Sequence, residues 1–217
     1  SPVHPSLIAW SSADGVYAQR SGASVAYIPG AAPLGPSIDR FGWVWGASTS
    51  AASVSVAGGA DGVFPVSVES ESAGDIRAVR ISPDGTRALV IRGNDSSAWV
   101  GVVERGPAGR PQAVRSLTQV RLERGTVIDG SWATSTGLAP VVRGAGSADD
   151  QLITLPLGGL PSSVSLPVRV RTMSAGASSS SIVITGTDEA GKTQVLIRSG
   201  ALWQNAPEPL SSARYAG

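Results

Sequence analysis

The chain has 217 residues, among them 27 Gly, 15 Pro and no Cys, and a formal net charge of +1. The lack of cysteine excludes disulfides, thiolate nucleophiles and cysteine-ligated metals, and the near-neutral charge gives no bulk attraction to nucleic acid. No run of 18 apolar residues is present, so no membrane-spanning helix is predicted. Short apolar runs between turn-forming residues favour a soluble all-β protein.

The first part of the chain predicts three short strands, at residues 6–10, 15–19 and 24–28. They are typical of the later strands of a four-stranded unit whose first strand is missing, so residues 1–33 are expected to form a partial unit. The only histidine, His4, stands in a proline-flanked terminal segment. A poorly ordered terminus is favoured over a metal ligand or a catalytic base.

A second unit is predicted to open with a strand at 41–45 and to continue at 54–56 and 63–68. The clearest unit follows, with strands at 76–81, 86–92, 98–104 and 112–117 and a tight turn at Ser82-Pro83-Asp84-Gly85. Four antiparallel strands in about 45 residues is the size of one β-propeller blade. Two more units are predicted, with strands at 127–132, 138–142 and 151–155, and at 168–171, 181–185 and 194–198.

These units predict a single β-propeller domain over 1–217, with about four to five blades and an incomplete N-terminal one. With Trp45, Ile81, Trp132 and Thr172 as equivalent positions, the spacings are 36, 51 and 40 residues. A β-sandwich of two sheets is the alternative fold. Closure is expected either from a strand near 203–210 that completes the first blade, or from a strand that precedes the chain.

The acidic residues give no clear catalytic site. Asp39, Asp84 and Asp129 recur every 45 residues, which predicts equivalent positions on successive blades and not the facing pair that a glycosidase needs. The pair Asp149-Asp150 is expected at a solvated hairpin tip, and a metal site there is less favoured. No catalytic, cofactor-binding or metal-ligating residue is assigned, and no cofactor is expected.

Aromatic and basic residues leave two alternatives open. Large aromatic side chains suit packing between blades, and a sugar- or peptide-stacking surface is the rival interpretation. The arginines around the third unit are expected on a solvated strand face, with an acidic partner as the rival. The residues concerned are Trp43, Trp45, Trp99, Trp132 and Trp203, and Arg77, Arg80, Arg87 and Arg92.

An ordered set of segments, at 36–45, 76–87, 100–103 and 127–132, resembles the C-terminal β-propeller of the actinobacterial lipoprotein family LpqB. The closing residues 213–217 are also similar to the end of that family. The most specific segment is Asp39-Arg40-Phe41-Gly42-Trp43-Val44-Trp45, whereas the Ser-Pro-Asp-Gly turn occurs in many propellers.

The resemblance implies a module with no chemistry of its own, located outside the cytoplasm in the cell envelope. An upstream lipid anchor and GerMN-type domains, absent from this sequence, would hold it at the membrane. The implied partner is the extracellular domain of a two-component sensor kinase that controls cell-wall growth and division, and no partner-binding residues are carried over. A carbohydrate- or cell-wall-binding propeller is the first alternative, and a propeller hydrolase or lyase is the second.

Overall fold

A computed structural model describes most of the chain. The described residues are 7–12, 14–20, 25–29, 34–47, 53–58, 62–69, 76–93, 96–122, 125–146, 149–175, 182–199 and 202–206. They contain β-strands and one short 3₁₀ turn at Pro107–Gly109, and none of them lies in an α-helix. Within these ranges no helix is long and apolar enough to cross a membrane.

In the part of the chain that the structure describes, nineteen strands follow one another in five groups. The first group is β1 (Leu7–Ser11), β2 (Gly15–Arg20) and β3 (Ala26–Pro29), and the second is β4 (Ser37–Ile38), β5 (Val44–Ala47), β6 (Ser53–Ala57) and β7 (Val63–Val68). The third is β8 (Ile76–Ile81), β9 (Arg87–Arg92), β10 (Ala98–Arg105) and β11 (Pro111–Gln119). The fourth is β12 (Thr126–Thr134), β13 (Gly137–Arg143), β14 (Asp150–Pro156) and β15 (Ser162–Ser165), and the fifth is β16 (Arg169–Ala175), β17 (Ile182–Thr187), β18 (Thr193–Ser199) and β19 (Leu202–Asn205).

Within each group, consecutive strands pair antiparallel, so each group is an up-and-down meander. The first strands of neighbouring groups lie side by side, because β12 packs against both β8 and β16. Such four-stranded meanders around a common axis are the blades of a β-propeller, as the repeat predicted, and the sandwich alternative is wrong. We call the five groups blades 1 to 5 in chain order.

The apolar core lies between blades, and each of its four clusters joins two consecutive blades. Trp45 of blade 2 packs in the same cluster as Ile81 of blade 3, and Leu89 of blade 3 packs with Leu138 of blade 4. The remaining clusters join blades 4 and 5 and blades 1 and 2. Burial of these side chains between sheets is therefore what holds successive blades together.

Blade 2 begins differently from the prediction. The segment 41–45 is not the first strand, because Phe41 and Gly42 form the turn between β4 and β5. The N–H of Gly42 donates to the carbonyl of Asp39, as the N–H of Gly85 donates to Ser82, and both glycines have positive φ. These turns stand 43 residues apart, so the real repeat between blades 2 and 3 is more regular than the spacing of 36 indicated.

The C-terminal strand also departs from the expectation. β19 pairs antiparallel with β18, with Arg198 opposite Trp203, and so forms the outer strand of blade 5. It does not complete blade 1, and residues 207–217 lie outside the described residues. Blade 1 has three described strands, as expected for residues 6–28, and its assignment as an incomplete unit stays a prediction.

Blades 2 and 3 share one continuous sheet of eight strands. Their outer strands β7 and β11 pair in parallel, with Ser67 opposite Ala113 and Val68 opposite Val114. The carboxylate of Glu69 extends this contact by accepting a hydrogen bond from the N–H of Ser116 at 2.8 Å. Because Ser116 has φ near 54°, β11 bends at this position and reaches the neighbouring blade.

Candidate functional site

The first predicted carboxylate, Asp39, is buried and holds the start of blade 2. Its Oδ1 accepts hydrogen bonds from the N–H groups of Phe41 and Trp43, and its Oδ2 accepts one from Nε1 of Trp45 at 3.0 Å. Arg105 of blade 3 completes the set with a 2.8 Å ion pair to Oδ2. The guanidinium of Arg105 also stacks on Phe41, 4.5 Å from the ring centroid. The carboxylate thus ties two blades together.

Asp129 on β12 ties three blades together. Its side chain is fully buried, and its Oδ1 lies 3.0 Å from Nη2 of Arg80 on β8. Its Oδ2 accepts a hydrogen bond from the N–H of Met173 on β16 at 2.8 Å. Arg80 donates further to the carbonyls of Leu34 and Gly35, before blade 2. One buried ion pair therefore connects the inner strands of blades 3, 4 and 5.

The acidic pair at 149–150 is not a solvated hairpin tip, because only Asp149 is exposed. Asp150 is fully buried and binds the guanidinium of Arg143 through two 2.7 Å hydrogen bonds. It also accepts a 2.6 Å hydrogen bond from the N–H of Val170 in blade 5. The hydrogen bonds that Arg143 donates to Asp150 raise the pKa of the Arg143 guanidinium. Asp150 is thus a third carboxylate that joins neighbouring blades.

The regular spacing of Asp39, Asp84 and Asp129 does not reflect equivalent positions. Asp39 precedes the first turn of blade 2, Asp84 lies inside the first turn of blade 3, and Asp129 lies within a strand of blade 4. The turn residue equivalent to Asp39 is Ser82, whose carbonyl accepts the matching hydrogen bond from the N–H of Gly85. Burial alone would raise the pKa of Asp84, but hydrogen bonds from Ser82 and Thr86 outweigh it and lower the pKa.

These contacts decide what the predicted acids are able to do. Asp39, Asp129 and Asp150 each accept three or more hydrogen bonds from protein donors, so their oxygens are already engaged. Among the residues that the structure describes, no group of three or more His, Cys, Asp or Glu is placed to hold a metal. His4 lies outside the described residues. Asp39, Asp129 and Asp150 are therefore structural ties between blades.

The tryptophans singled out in the sequence mainly pack between blades, as favoured. Trp43, Trp45 and Trp132 are buried, and Trp132 donates its Nε1–H to the carbonyl of Arg80 at 2.8 Å. Trp99 and Trp203 are half-buried. None of these five side chains is classed as fully exposed, so they do not form the open stacking surface of the rival interpretation.

The arginine cluster is only partly a solvated face. Arg80 and Arg92 are buried, the first in its ion pair with Asp129 and the second stacked on Trp99, 4.8 Å from the ring centroid. Arg77 and Arg87 are partly exposed, and both donate to carbonyls of blade 4, at Ile128 and Ser135. Arg77, Arg80 and Arg87 therefore join blades 3 and 4, and the expectation of a solvated strand face is wrong for the buried Arg80 and Arg92.

An exposed aromatic ladder, which the sequence analysis did not identify, crosses blade 1. Trp10 on β1, Tyr17 on β2 and Tyr27 on β3 stand opposite one another in register. The rings of Trp10 and Tyr17 stack at 5.6 Å and 13°, and those of Tyr17 and Tyr27 lie 4.9 Å apart. Trp10 and Tyr27 are each 39% exposed. The three rings form a continuous aromatic surface that is open to solvent.

One residue, Asp14, fixes the polar ends of this ladder. The hydroxyl of Tyr17 donates to Oδ2 of Asp14 at 2.6 Å, and that of Tyr27 donates to the Asp14 carbonyl at 2.7 Å. The hydrogen bond with Asp14 raises the pKa of Tyr17 to about 12, and the same bond lowers the pKa of Asp14. Rigid aromatic rings with fixed hydroxyl groups are typical of contact surfaces for proteins and sugars.

Residues 8–213 match the model of a protein family described as the lipoprotein LpqB beta-propeller domain. The chain belongs to this family. The resemblance drawn from the sequence is thereby confirmed, and the fold is that of a lipoprotein propeller module. Among curated proteins, none matches the chain.

Several solved structures are similar to the chain over most of its length. TolB from Acinetobacter baumannii has 14% identity and a TM-score of 0.63, over 90% of this chain and 52% of TolB. A chain of the nidogen/laminin complex has 12% identity and a TM-score of 0.57, over 91% of this chain and 79% of the other. A virginiamycin B lyase from Staphylococcus aureus has 13% identity and a TM-score of 0.55, over 96% and 69%. At these identities the similarity shows the fold alone.

The buried tie at Asp129 makes a first prediction. Asp129→Asn removes the charge that compensates Arg80, and we expect it to lower the free energy of unfolding by about 3 kcal/mol, as measured by urea denaturation. The matched control is Glu104→Gln, which breaks the exposed pair with Arg115 and should leave stability near that of the wild type, because solvent screens that pair. Equal effects of the two substitutions would contradict the structural role of Asp129.

The ladder makes a second prediction, about pH. The hydrogen bond from Tyr17 lowers the pKa of Asp14. The stability that this hydrogen bond contributes is therefore present above the ordinary pKa of 3.8, and it is lost as the pH falls through the lowered pKa. In Tyr17→Phe, the pKa of Asp14 should return towards 3.8. NMR titration of the Asp14 carboxyl carbon measures this, with Tyr27→Phe as the control, because the hydroxyl of Tyr27 donates to the carbonyl of Asp14 and not to its carboxylate.

Proposed function

We propose that the chain is a non-enzymatic interaction module of an extracytoplasmic lipoprotein, and that its partner is the extracellular domain of a two-component sensor kinase. Membership of the LpqB propeller family is the observation that carries this proposal. The module is held near the membrane by a lipid anchor elsewhere in the full protein. It binds its partner and performs no chemistry.

The buried carboxylates support a binding role. A hydrolase or lyase needs carboxylates that are free to exchange protons or attack substrate. Asp39, Asp129 and Asp150 are instead committed to arginines and backbone N–H groups. Loss of any of these contacts leaves a buried charge without a partner, which destabilises the fold. Use of these carboxylates as catalysts would therefore destabilise the protein.

The aromatic ladder of blade 1 is the contact surface that we assign to the protein partner. Tyr and Trp supply large contact areas with few rotatable bonds, so they are enriched among residues that dominate binding energy. Trp10, Tyr17 and Tyr27 are already ordered by stacking and by Asp14. Binding to this surface therefore costs little side-chain entropy.

Isothermal titration of the chain with the extracellular domain of the matching sensor kinase tests this proposal. We expect a dissociation constant below about 100 μM for the wild type. Trp10→Ala should weaken binding at least tenfold, because it removes one exposed ring from the ladder. The matched control, Val164→Ala, changes an exposed apolar side chain of blade 4 and should bind like the wild type.

Two outcomes would contradict different parts of the proposal. Absence of binding by the wild type at about 100 μM would exclude the kinase as partner. Binding that is equal in the wild type, Trp10→Ala and Val164→Ala would keep the partner but exclude the ladder as its contact surface. Circular dichroism of each variant verifies that the fold is intact.

A second candidate function is favoured by the same ladder, because exposed Trp and Tyr rings also bind sugars. Peptidoglycan or arabinogalactan fragments that stack on Trp10 would change its fluorescence. Titration of the wild type and Trp10→Phe distinguishes this signal from that of the buried tryptophans. A fluorescence change that saturates in the wild type and is lost in Trp10→Phe would support a cell-wall ligand. Fluorescence that does not change in either protein would exclude a cell-wall ligand at the ladder.

A further inference from the structure

The two ends of the propeller differ, and the strand order defines them. Turns alternate between the ends of an antiparallel meander, so the first and third turns of each four-stranded blade lie at one end. We call this the first-turn end. It contains the described residues of the turns at 39–43, 82–86, 106–110, 134–137 and 157–161. Blade 1 has the same orientation, because Arg20 at the end of β2 donates to the carbonyl of Gly42.

Contacts between these turns join them into one surface. Phe41 of blade 2 lies against Gly85 and Gly109, the glycines of two turns in blade 3. Arg87 of blade 3 donates to the carbonyl of Ser135 in blade 4. The N–H of Leu157 donates to the carbonyl of Thr136 at 2.7 Å, which joins the two turns of blade 4. The first-turn end is therefore continuous from blade 2 to blade 4.

Large apolar side chains are exposed at this end. Leu160, at the tip of the Pro156-Leu157-Gly158-Gly159-Leu160-Pro161 loop, is 89% exposed, and Leu202 of blade 5 is 67% exposed. Others are exposed at turns or strand ends on blades 1, 2 and 4, namely Val25, Phe41, Val63 and Leu157. At the other end, Trp10 and Tyr27 of the ladder are exposed near the 12–14 turn, whereas none of the exposed large apolar side chains lies in the described parts of the turns at 12–14, 93–97, 144–149 and 188–192.

The charges at the first-turn end are predominantly positive. Of the described residues in its turns and strand ends, the basic ones are Arg20, Arg40, Arg87, Arg105, Arg110 and Arg198, and the acidic ones are Asp39, Asp84 and Glu104. Asp39 is buried, and Asp84 lies 3.6 Å from Arg87. Arg40 and Arg110 are exposed beside Phe41 and Phe64, which they cover at 5.6 and 4.5 Å. Apolar tips and cationic groups thus share one surface.

We propose that the first-turn end docks on the surface of an anionic lipid bilayer. Surfaces that bind membranes reversibly combine apolar side chains, which enter the boundary of headgroups and acyl chains, with arginines that attract anionic lipids. The exposed leucines supply the first component, and Arg40 and Arg110 supply the second. The inference goes beyond binding of a kinase and does not require it.

A bilayer fits these observations better than a protein partner does. The exposed side chains stand on separate turns and strand ends of blades 1, 2, 4 and 5, whereas a protein interface has a contiguous, well-packed centre. A flat lipid surface is able to contact separate tips at the same time. The family is one of lipoproteins, so a membrane lies within reach of the propeller. Because a lipid anchor would keep the propeller close to the bilayer, each apolar tip would strengthen an attachment that already exists.

A single label tests the proposal, because the chain has no cysteine. Leu160→Cys, labelled with a fluorophore that responds to polarity, is mixed with vesicles of phosphatidylcholine and phosphatidylglycerol. We expect a blue shift and quenching by brominated acyl chains. The matched control is Val102→Cys, labelled in the same way, because Val102 is 51% exposed but lies in the middle of β10. Its label should stay in water.

Charge is tested on the same label. Arg40→Gln and Arg110→Gln in labelled Leu160→Cys should each weaken binding to the anionic vesicles about fivefold. The same changes should leave binding to pure phosphatidylcholine unaltered. An equal response of the labels at 102 and 160, or no response of either, would overturn the proposal.

The test also separates this proposal from the kinase. If the fluorescence of the label at 160 does not change with vesicles but changes with the sensor-kinase domain, the first-turn end is a protein-docking surface. This result would overturn membrane binding. If the label enters the bilayer and the chain does not bind the kinase domain, membrane docking is supported. Only the proposed kinase partner is then excluded.

Discussion

The buried pair of Arg80 and Asp129 is the contact on which the arrangement of the blades depends most. The apolar clusters attract neighbouring sheets, but they do not by themselves fix how far one sheet slides along the next. The pair provides that constraint, because Asp129 binds Arg80 on one side and the N–H of Met173 on the other. A displacement of either neighbour by one residue would leave a buried charge without its partner, which is costly.

The same design recurs where other blades meet. Asp39 receives Arg105 from the next blade, and Asp150 receives the N–H of Val170. Buried ion pairs often add little net stability compared with apolar packing, so their value here is the specificity of blade alignment. Asp39, Asp129 and Asp150 are each placed by the neighbouring blade that they hold.

Local patterns in the sequence were enough to predict most strands and the propeller fold. They were not enough to place the start of blade 2, because its first strand has only two residues, Ser37 and Ile38, and the apolar run that follows belongs to the second strand. The positive-φ glycines, Gly42 and Gly85, were the better marker of the repeat. A turn constrains the backbone more strictly than an apolar pattern does.

The aromatic ladder escaped prediction for a different reason. Trp10, Tyr17 and Tyr27 are separated along the chain, and only the pairing register of three strands brings their rings together. That register depends on the sheet as a whole. The burial of Asp150 was missed for the same reason, because only the pairing of β13 with β14 places Arg143 opposite Asp150. The ladder lies towards the 12–14 turn, at the end opposite the apolar tips. A propeller that rests its first-turn end on a bilayer would therefore hold the ladder away from the lipid, where a protein or a cell-wall polymer is able to reach it.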